Sequence, residues 1–173
     1  MNTPAARPSL KSKMFKTRID ISQDRRARLN SLMNRRLADA VDLQMQMKQA
    51  HWNVKGPHFI GLHELFDQID EAVESYVDLI AERIVQLGGI AEGAVRVSAS
   101  RSRLEEYSLI IADGSAHVEA VAKALSAFGH EVRQAIDQAD ELGDADTSDI
   151  FTEISRGIDK WLWFVEAHSQ ASC

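Results

Sequence analysis

The sequence predicts an all-α fold built from four long helices. Only three prolines and nine glycines interrupt the 173 residues, which is few for an all-β protein. Apolar residues recur with a helical period in four stretches, and turn signals separate these stretches. The length and an apolar content of 45% are those of one globular domain with a single hydrophobic core.

The first two helices have clear start and stop signals. Ser22 is positioned as the N-cap of a helix that should end near Val54, because Gly56–Pro57 follows. Proline disfavours helical backbone in the residue that precedes it and suits the first turn of the next helix. The second helix is therefore predicted over about 57–87, where Gly88–Gly89 ends it.

A long crossover, residues 90–103, should separate the second helix from the third. A short helix is expected within it near Ala99–Leu104. The pattern of Ser102 and Glu105 resembles a capping box and predicts a third helix over about 105–140. Two glycines inside this span, Gly114 and Gly129, lower helix stability.

A fourth helix is expected after Gly143. Asp146 or Thr147 is placed to cap it, and apolar residues continue at helical spacing through Val165. Four long helices with one long crossover between the second and third are typical of a ferritin-like bundle. The crossover can join parallel or antiparallel neighbours, so the sequence leaves that part of the topology open. The bundle domain is assigned to residues 22–173.

The distribution of charge sets the N-terminus apart. A net charge of −6 and a pI near 5.5 argue against a wholly basic nucleic-acid-binding surface and are compatible with attracting cations. Residues 1–21, in contrast, form a basic segment that is expected to be a flexible tail. Its basic residues are Arg7, Lys11, Lys13, Lys16 and Arg18.

Segments that would direct the chain to a membrane or an oxidising compartment are not found in the sequence. No apolar stretch approaches the ~20 residues that cross a bilayer, and the N-terminus lacks the apolar core of a signal peptide. The single cysteine, Cys173, permits neither an intrachain disulfide nor a thiolate metal cluster. We therefore expect a soluble, cytoplasmic protein.

Four candidate metal ligands lie on one face of the predicted second helix. His63 and Asp67 are four residues apart, and so are Asp78 and Glu82, within about 100° of the helix circumference. However, His63 and Asp78 are separated by about 22 Å along the axis, so no single ion reaches both. A second, antiparallel helix across a two-fold axis between residues 72 and 73 would bring the two pairs together. The stripe thus predicts a metal site and a symmetric dimer at once.

The chemistry of these ligands narrows the choice of metal. His51, near the end of the first helix, could approach His63 and bring the set to two imidazoles and three carboxylates. Such a set suits iron, manganese or zinc and disfavours calcium and copper(I). The alternative is that the acids form an ordinary solvated helix face. The chain has no Glu-x-x-His motif, so an intrachain di-iron centre of the usual bundle type is not expected.

Three segments of the chain together resemble the Dps family of miniferritins. They are Lys48–Phe59 (KQAHWNVKGPHF), His63–Asp67 (HELFD) and Asp78–Arg83 (DLIAER), and the likeness runs from the basic tail through Trp161–Phe164. The resemblance implies a hollow homododecamer of four-helix subunits that protects DNA from oxidative damage. It implies a ferroxidase that oxidises Fe²⁺ at dimer interfaces, commonly with hydrogen peroxide and also with O₂, and stores a ferric mineral without an organic cofactor.

Carried over by position, the resemblance assigns both catalytic and metal-binding roles to the same five residues. One subunit supplies His51, His63 and Asp67, and its two-fold mate supplies Asp78 and Glu82. Lys48 is then expected to pair with Asp67 and compete with a second metal ion. Trp52 either intercepts oxidising equivalents beside the site or simply packs there. The remaining histidines are interpreted as a helix-start residue, His58, and as surface or packing residues, His117, His130 and His168.

Acidic residues crowd the turn before the fourth helix. The resemblance implies an acid-lined three-fold pore in this region, which would draw Fe²⁺ inward electrostatically. Helix capping and favourable placement at a helix N-terminus are the alternative, and the sequence does not choose between them. The acids concerned are Asp140, Glu141, Asp144, Asp146 and Asp149.

DNA binding is a second function that the tail suggests. Some Dps proteins bind DNA through lysine-rich tails, and twelve basic tails on one particle would gain from multivalency. The acidic body opposes such binding, and the tail could instead order against the assembly. The sequence therefore does not decide whether the protein binds DNA and associates with the nucleoid.

Overall fold

The computed structural model describes residues 13–170, and within them the chain forms four long helices and one short helix. The helices are α1 (Gln23–Asn53), α2 (Phe59–Gln86), α3 (Val95–Arg101), α4 (Gly114–Glu141) and α5 (Ala145–Glu166). α1 packs mainly on α2 and α4 on α5, while α1–α4 and α2–α5 contacts close the bundle. Phe66, Phe128 and Phe151 are fully buried at its centre. The predicted all-α four-helix bundle is confirmed.

The ends of α1 and α2 lie where local signals place them. The Ser22 hydroxyl accepts a hydrogen bond from the Arg25 amide at 3.4 Å, which caps α1. After α2, Gly88 adopts a φ of +79°, and a side chain there would place its Cβ 2.4 Å from the Phe15 carbonyl oxygen. A glycine is therefore required both for the backbone conformation and for this close approach.

Residues 13–21, which the sequence assigns to the tail, lie along the bundle. The Phe15 amide donates to the Gly88 carbonyl at 2.7 Å, and the side chains of Ile19 and Ile21 pack against the core. The Arg26 guanidinium donates to the carbonyls of Ile21 and Leu87 at 3.0 and 2.8 Å. The last part of the basic segment is therefore attached to the ends of α1 and α2.

The crossover differs from its prediction. The short helix is Val95–Arg101 rather than 99–104, and α4 begins at Gly114 rather than near 105. Residues 102–113 are held against α1 instead, since the Arg103 amide donates to Asp39 at 2.9 Å and Gln46 donates to the Glu105 carbonyl at 3.0 Å. These long-range bonds replace the helical bonds that the capping-box pattern predicted.

The residues that cap α4 and α5 also differ from those expected. Asp113 caps α4 by accepting from the Ser115 amide at 2.8 Å, and Ser102 instead follows the end of α3. The N-cap position of α5 is Asp144, not Asp146 or Thr147. Its carboxylate does not bond to the helix amides, because it is engaged by a buried arginine from α2. None of the helices in the described part of the chain is long and apolar enough to cross a membrane.

Candidate metal centre

Two imidazole rings stack where α1 ends and α2 begins. The His51 and His63 ring centroids are 3.7 Å apart, with an angle of 21° between the planes. Nδ1 of His51 lies 2.8 Å from the His63 carbonyl, and Nδ1 of His63 lies 2.8 Å from the His51 carbonyl. Because a carbonyl only accepts, each Nδ1 carries a proton, and the neutral form of each ring has its lone pair on Nε2. Such backbone bonds orient a histidine for metal binding.

Asp67 lies one turn after His63 on α2 and adds a carboxylate beside the rings. Its Oδ1 is 3.6 Å from Nδ1 of His51 and accepts a 2.6 Å hydrogen bond from Lys48. Lys48 also reaches the buried Asp70 at 2.9 Å. The bond from Lys48 lowers the pKa of Asp67, and the bonds to Asp67 and then Asp70 raise the pKa of Lys48. Asp67 is thus ionised and held close to the imidazoles.

Asp78 and Glu82 occupy the other half of α2. Both side chains are exposed, and within residues 13–170 no ion pair engages either of them. In the same part of the chain, no three His, Cys, Asp or Glu side chains converge in a way that could hold a metal ion. The two halves of the predicted ligand set therefore remain apart in one chain, as the helix spacing requires.

The acidic turn divides into two kinds of residue. Asp144 is 4% exposed, and Nη2 of Arg83 donates to its two carboxylate oxygens at 2.8 and 3.0 Å. The Thr147 hydroxyl donates to the same carboxylate. Asp144 therefore forms a buried link between α2 and α5. The other acids of the turn are exposed: Asp140, Glu141, Asp146 and Asp149.

The remaining predicted residues fall in different places. Trp52 is 59% exposed at the end of α1, and His58 occupies the N-cap position of α2. Of the basic residues in the tail, Arg7 and Lys11 lie outside the described residues. The other three are exposed: Lys13, Lys16 and Arg18. His130 and His168 are exposed, whereas His117 is buried in the interior.

Sequence reasoning missed two features of this region. Asp70 is a second acceptor for Lys48, and its spacing of three residues from Asp67 on a helix was a usable signal. The other feature is a hydrogen bond between Tyr107 and His117, whose residues come from the crossover and from α4. No local pattern connects that pair, so only the folded chain reveals it.

Comparison with known proteins agrees with this architecture. A Ferritin-like domain model matches residues 30–171. A DNA protection during starvation protein from Agrobacterium fabrum is 42% identical over 158 residues, which cover 91% of this chain and 98% of that protein. The chain belongs to the Dps family. A Dps-family protein of the same description from Brevibacillus brevis is 32% identical over 139 residues, covering 79% of this chain and 91% of the relative.

Solved Dps structures extend the match to three dimensions. DpsA14 from Streptomyces coelicolor superposes with a TM-score of 0.88 and 32% identity, covering 93% of this chain and 95% of that one. The tetragonal form of Mycobacterium smegmatis Dps gives a TM-score of 0.86 and 29% identity, covering 91% and 96%. The expected family and fold are both confirmed.

Proposed function

We propose that this Dps-family chain oxidises Fe²⁺ at sites shared by two subunits and stores the ferric product inside a hollow homododecamer. The observation that carries the proposal is the His51–His63 pair, whose Nδ1 atoms are held by each other's backbone carbonyls. This arrangement orients both imidazoles and leaves both Nε2 lone pairs for a metal ion. Membership of a ferritin-like family supports iron as the metal that is bound.

The second subunit completes the ligand set. Across a two-fold axis between residues 72 and 73 of antiparallel α2 helices, His63 and Asp67 face Glu82 and Asp78 of the partner subunit. The exposure of Asp78 and Glu82 in the single chain is consistent with this role. Three carboxylates around two imidazoles also favour the higher charge of Fe³⁺, so the same ligands assist oxidation.

The oxidation consumes two reactants that are harmful together. Two Fe²⁺ ions supply two electrons to hydrogen peroxide, whose O–O bond breaks to give two water molecules after two protons are taken up. O₂ is the second oxidant of the proposal. Removing Fe²⁺ and peroxide at once prevents hydroxyl-radical formation, which accounts for the DNA protection named in the relatives. A cytoplasmic location, next to the DNA, forms part of the proposal.

Complementation between two inactive variants tests the shared site. His63→Ala with Asp67→Ala removes one half, and Asp78→Ala with Glu82→Ala removes the other. Each double variant should lose rapid Fe²⁺ oxidation after anaerobic loading and a pulse of peroxide. In randomly mixed assemblies, half of the dimers contain one chain of each variant. Each such dimer has one site with both halves intact and one site with both halves mutated, so about one-quarter of the wild-type oxidation should return.

The complementation experiment needs a control double variant that removes the same types of side chain away from α2. Glu119→Ala with His130→Ala removes a carboxylate and an imidazole from the exposed side of α4 and should leave oxidation unchanged. If mixed assemblies form but remain as inactive as their parents, the inter-subunit site is wrong. If either double variant oxidises iron at the wild-type rate, α2 does not carry the catalytic centre.

Sequence-independent DNA binding is a second candidate function. Lys13, Lys16 and Arg18 are exposed on the segment that precedes α1, where they are free to meet phosphates. With twelve such segments on one particle, binding would be multivalent and strongly dependent on salt. Deleting residues 2–12, which leaves the contact between Phe15 and Gly88, should weaken a DNA gel shift, and deleting residues 2–18 should abolish it. An undiminished shift in the longer deletion would exclude the tail.

A further inference from the structure

A tyrosine and a histidine form a buried hydrogen-bonded pair outside the candidate metal centre. The Tyr107 hydroxyl lies 2.6 Å from Nδ1 of His117, and the two residues are 9% and 1% exposed. Their rings are nearly parallel, with centroids 6.0 Å apart and an angle of 25° between the planes. Tyr107 comes from the crossover and His117 from the first turn of α4, so the pair forms only when the chain folds.

The surroundings of the imidazole determine which way the proton points. Burial lowers the pKa of His117 and so favours the neutral imidazole, and within the described residues Nε2 of this ring has no hydrogen-bond partner. The Tyr107 hydroxyl is buried against Nδ1, and a buried hydroxyl donates its proton to the acceptor that it meets. Nδ1 is then an acceptor, and the Tyr107 hydroxyl donates to it.

The pair lies at the same end of the bundle as the stacked histidines. The Lys55 amide donates to the Ala112 carbonyl at 2.9 Å, which joins the α1–α2 turn to the segment before α4. The backbone at Asn53, two residues after His51, lies close enough to His117 to raise the pKa of its imidazole. The Tyr107–His117 pair and the His51–His63 pair therefore both lie beside the last turn of α1, and a single electron that moves between them stays within this end of the bundle.

We propose that Tyr107 and His117 form a redox site that supplies a single electron to oxidants generated at the iron centre. This inference rests on the proposed ferroxidase function. When only one Fe²⁺ is bound, it provides one of the two electrons that hydrogen peroxide requires. Tyr107 provides the other, and its phenolic proton moves to Nδ1 of His117. The O–O bond breaks, two protons from solvent complete two water molecules, and Fe³⁺, a neutral phenoxyl radical and an imidazolium remain.

The environment of the pair suits this coupled transfer. Burial raises the pKa of Tyr107, so the phenol keeps its proton until it is oxidised. Loss of an electron without loss of that proton would leave a buried cation, which is costly, so a proton acceptor is needed beside the ring. Burial, with a smaller contribution from Lys55, lowers the pKa of His117, which keeps the imidazole neutral and able to accept. A later Fe²⁺ returns the electron to the phenoxyl, and the imidazolium returns the proton.

The composition of the chain makes the pair easy to test. Its only tyrosines are Tyr76 and Tyr107, so Tyr76→Phe is a matched control for Tyr107→Phe. Assembled protein would receive about one Fe²⁺ per site and then peroxide, with electron paramagnetic resonance of freeze-quenched samples. In a parallel iron-free arm, photogenerated ruthenium(III) tris-bipyridine, with persulfate as the quencher, would serve as the one-electron oxidant.

We expect a phenoxyl signal in the wild type and in Tyr76→Phe, and its loss in Tyr107→Phe. His117→Gln, which keeps a hydrogen-bond acceptor but removes the base, should slow radical formation about 100-fold. A purely structural pair would not produce these spectroscopic differences in variants that assemble normally. Loss of the signal in Tyr76→Phe, with its retention in Tyr107→Phe, would overturn the assignment.

Iron oxidation measured in the same samples separates the two proposals. Normal iron oxidation without a phenoxyl signal in either arm would overturn the redox site and leave the ferroxidase function intact. A Tyr107-dependent signal in the photochemical arm without any iron oxidation would show a redox-active pair that serves no iron centre, and would overturn the ferroxidase function. Equal signals in the wild type and His117→Gln, formed at equal rates, would remove His117 from the proposal.

Discussion

The two halves of α2 carry candidate ligands of the same chemistry, but only those in the N-terminal half are held by hydrogen bonds from another helix. In the N-terminal half, His63 and Asp67 are held by α1 through the His51 carbonyl and the Lys48 ammonium. In the C-terminal half, Asp78 and Glu82 are exposed. Under the proposed function, one chain prepares part of the site and offers the remaining ligands to another chain. In the proposed dimer, activity is therefore coupled to assembly.

The C-terminal half of α2 is also held in a fixed orientation, by Arg83, the residue that follows Glu82. Arg83 is 7% exposed and its guanidinium is paired with the buried Asp144, which ties α2 to α5. A buried charge is tolerated only when it is paired, so this contact fixes the rotation of the helix about its axis. Because successive residues differ by about 100°, the inward direction of Arg83 leaves Glu82 facing out.

Breaking the buried pair should produce the largest effect. Arg83→Met leaves the Asp144 carboxylate buried without its cation, and we expect the variant to lose about 3–5 kcal/mol of stability. Arg133→Met breaks an exposed pair with Asp159 and should cost about 0–1 kcal/mol. Urea unfolding of both variants measures the contrast. Equal, small losses would mean that Arg83 does not anchor this half of α2.

The exposed acids of the turn should have an intermediate effect if they guide iron. Asp140→Asn with Asp149→Asn should slow Fe²⁺ uptake about tenfold at low ionic strength, and the difference should shrink as salt is added. Oxidation at saturating iron should be unchanged. Glu106→Gln with Glu119→Gln alters the net charge equally at exposed positions on the crossover and on α4. If both pairs slow uptake to the same extent, no local pore is needed.

The smallest effect is expected at Lys48, the residue of α1 that bonds to the N-terminal half of α2. Its ammonium bonds to Asp67 and occupies space close to the imidazoles, so it should repel a second cation. Lys48→Met should raise the iron bound anaerobically from about one to about two Fe²⁺ per site. Lys123→Met removes an ammonium that pairs with Glu105 on the surface and should change nothing. An unchanged stoichiometry in Lys48→Met would refute the competition.

Most of the helix ends were predictable because they depend on neighbours in sequence. The Ser22 cap, the Gly56–Pro57 break and the glycine after α2 act within a few residues, and the structure confirms each end to within a few residues. The start of α4 was not predictable in this way. Asp39 and Gln46, far away in sequence, bind residues 103–105 and outcompete a local capping pattern.

The sequence by itself determined the helical class, the family and the stripe of ligands on α2, since all three depend on residue types at fixed spacings along the chain. Only the tertiary structure decided how those ligands are held. The mutual carbonyl bonds of His51 and His63, the burial of Asp144 against Arg83 and the Tyr107–His117 pair each join distant segments. Such contacts depend on the packing of whole helices, which no local spacing encodes.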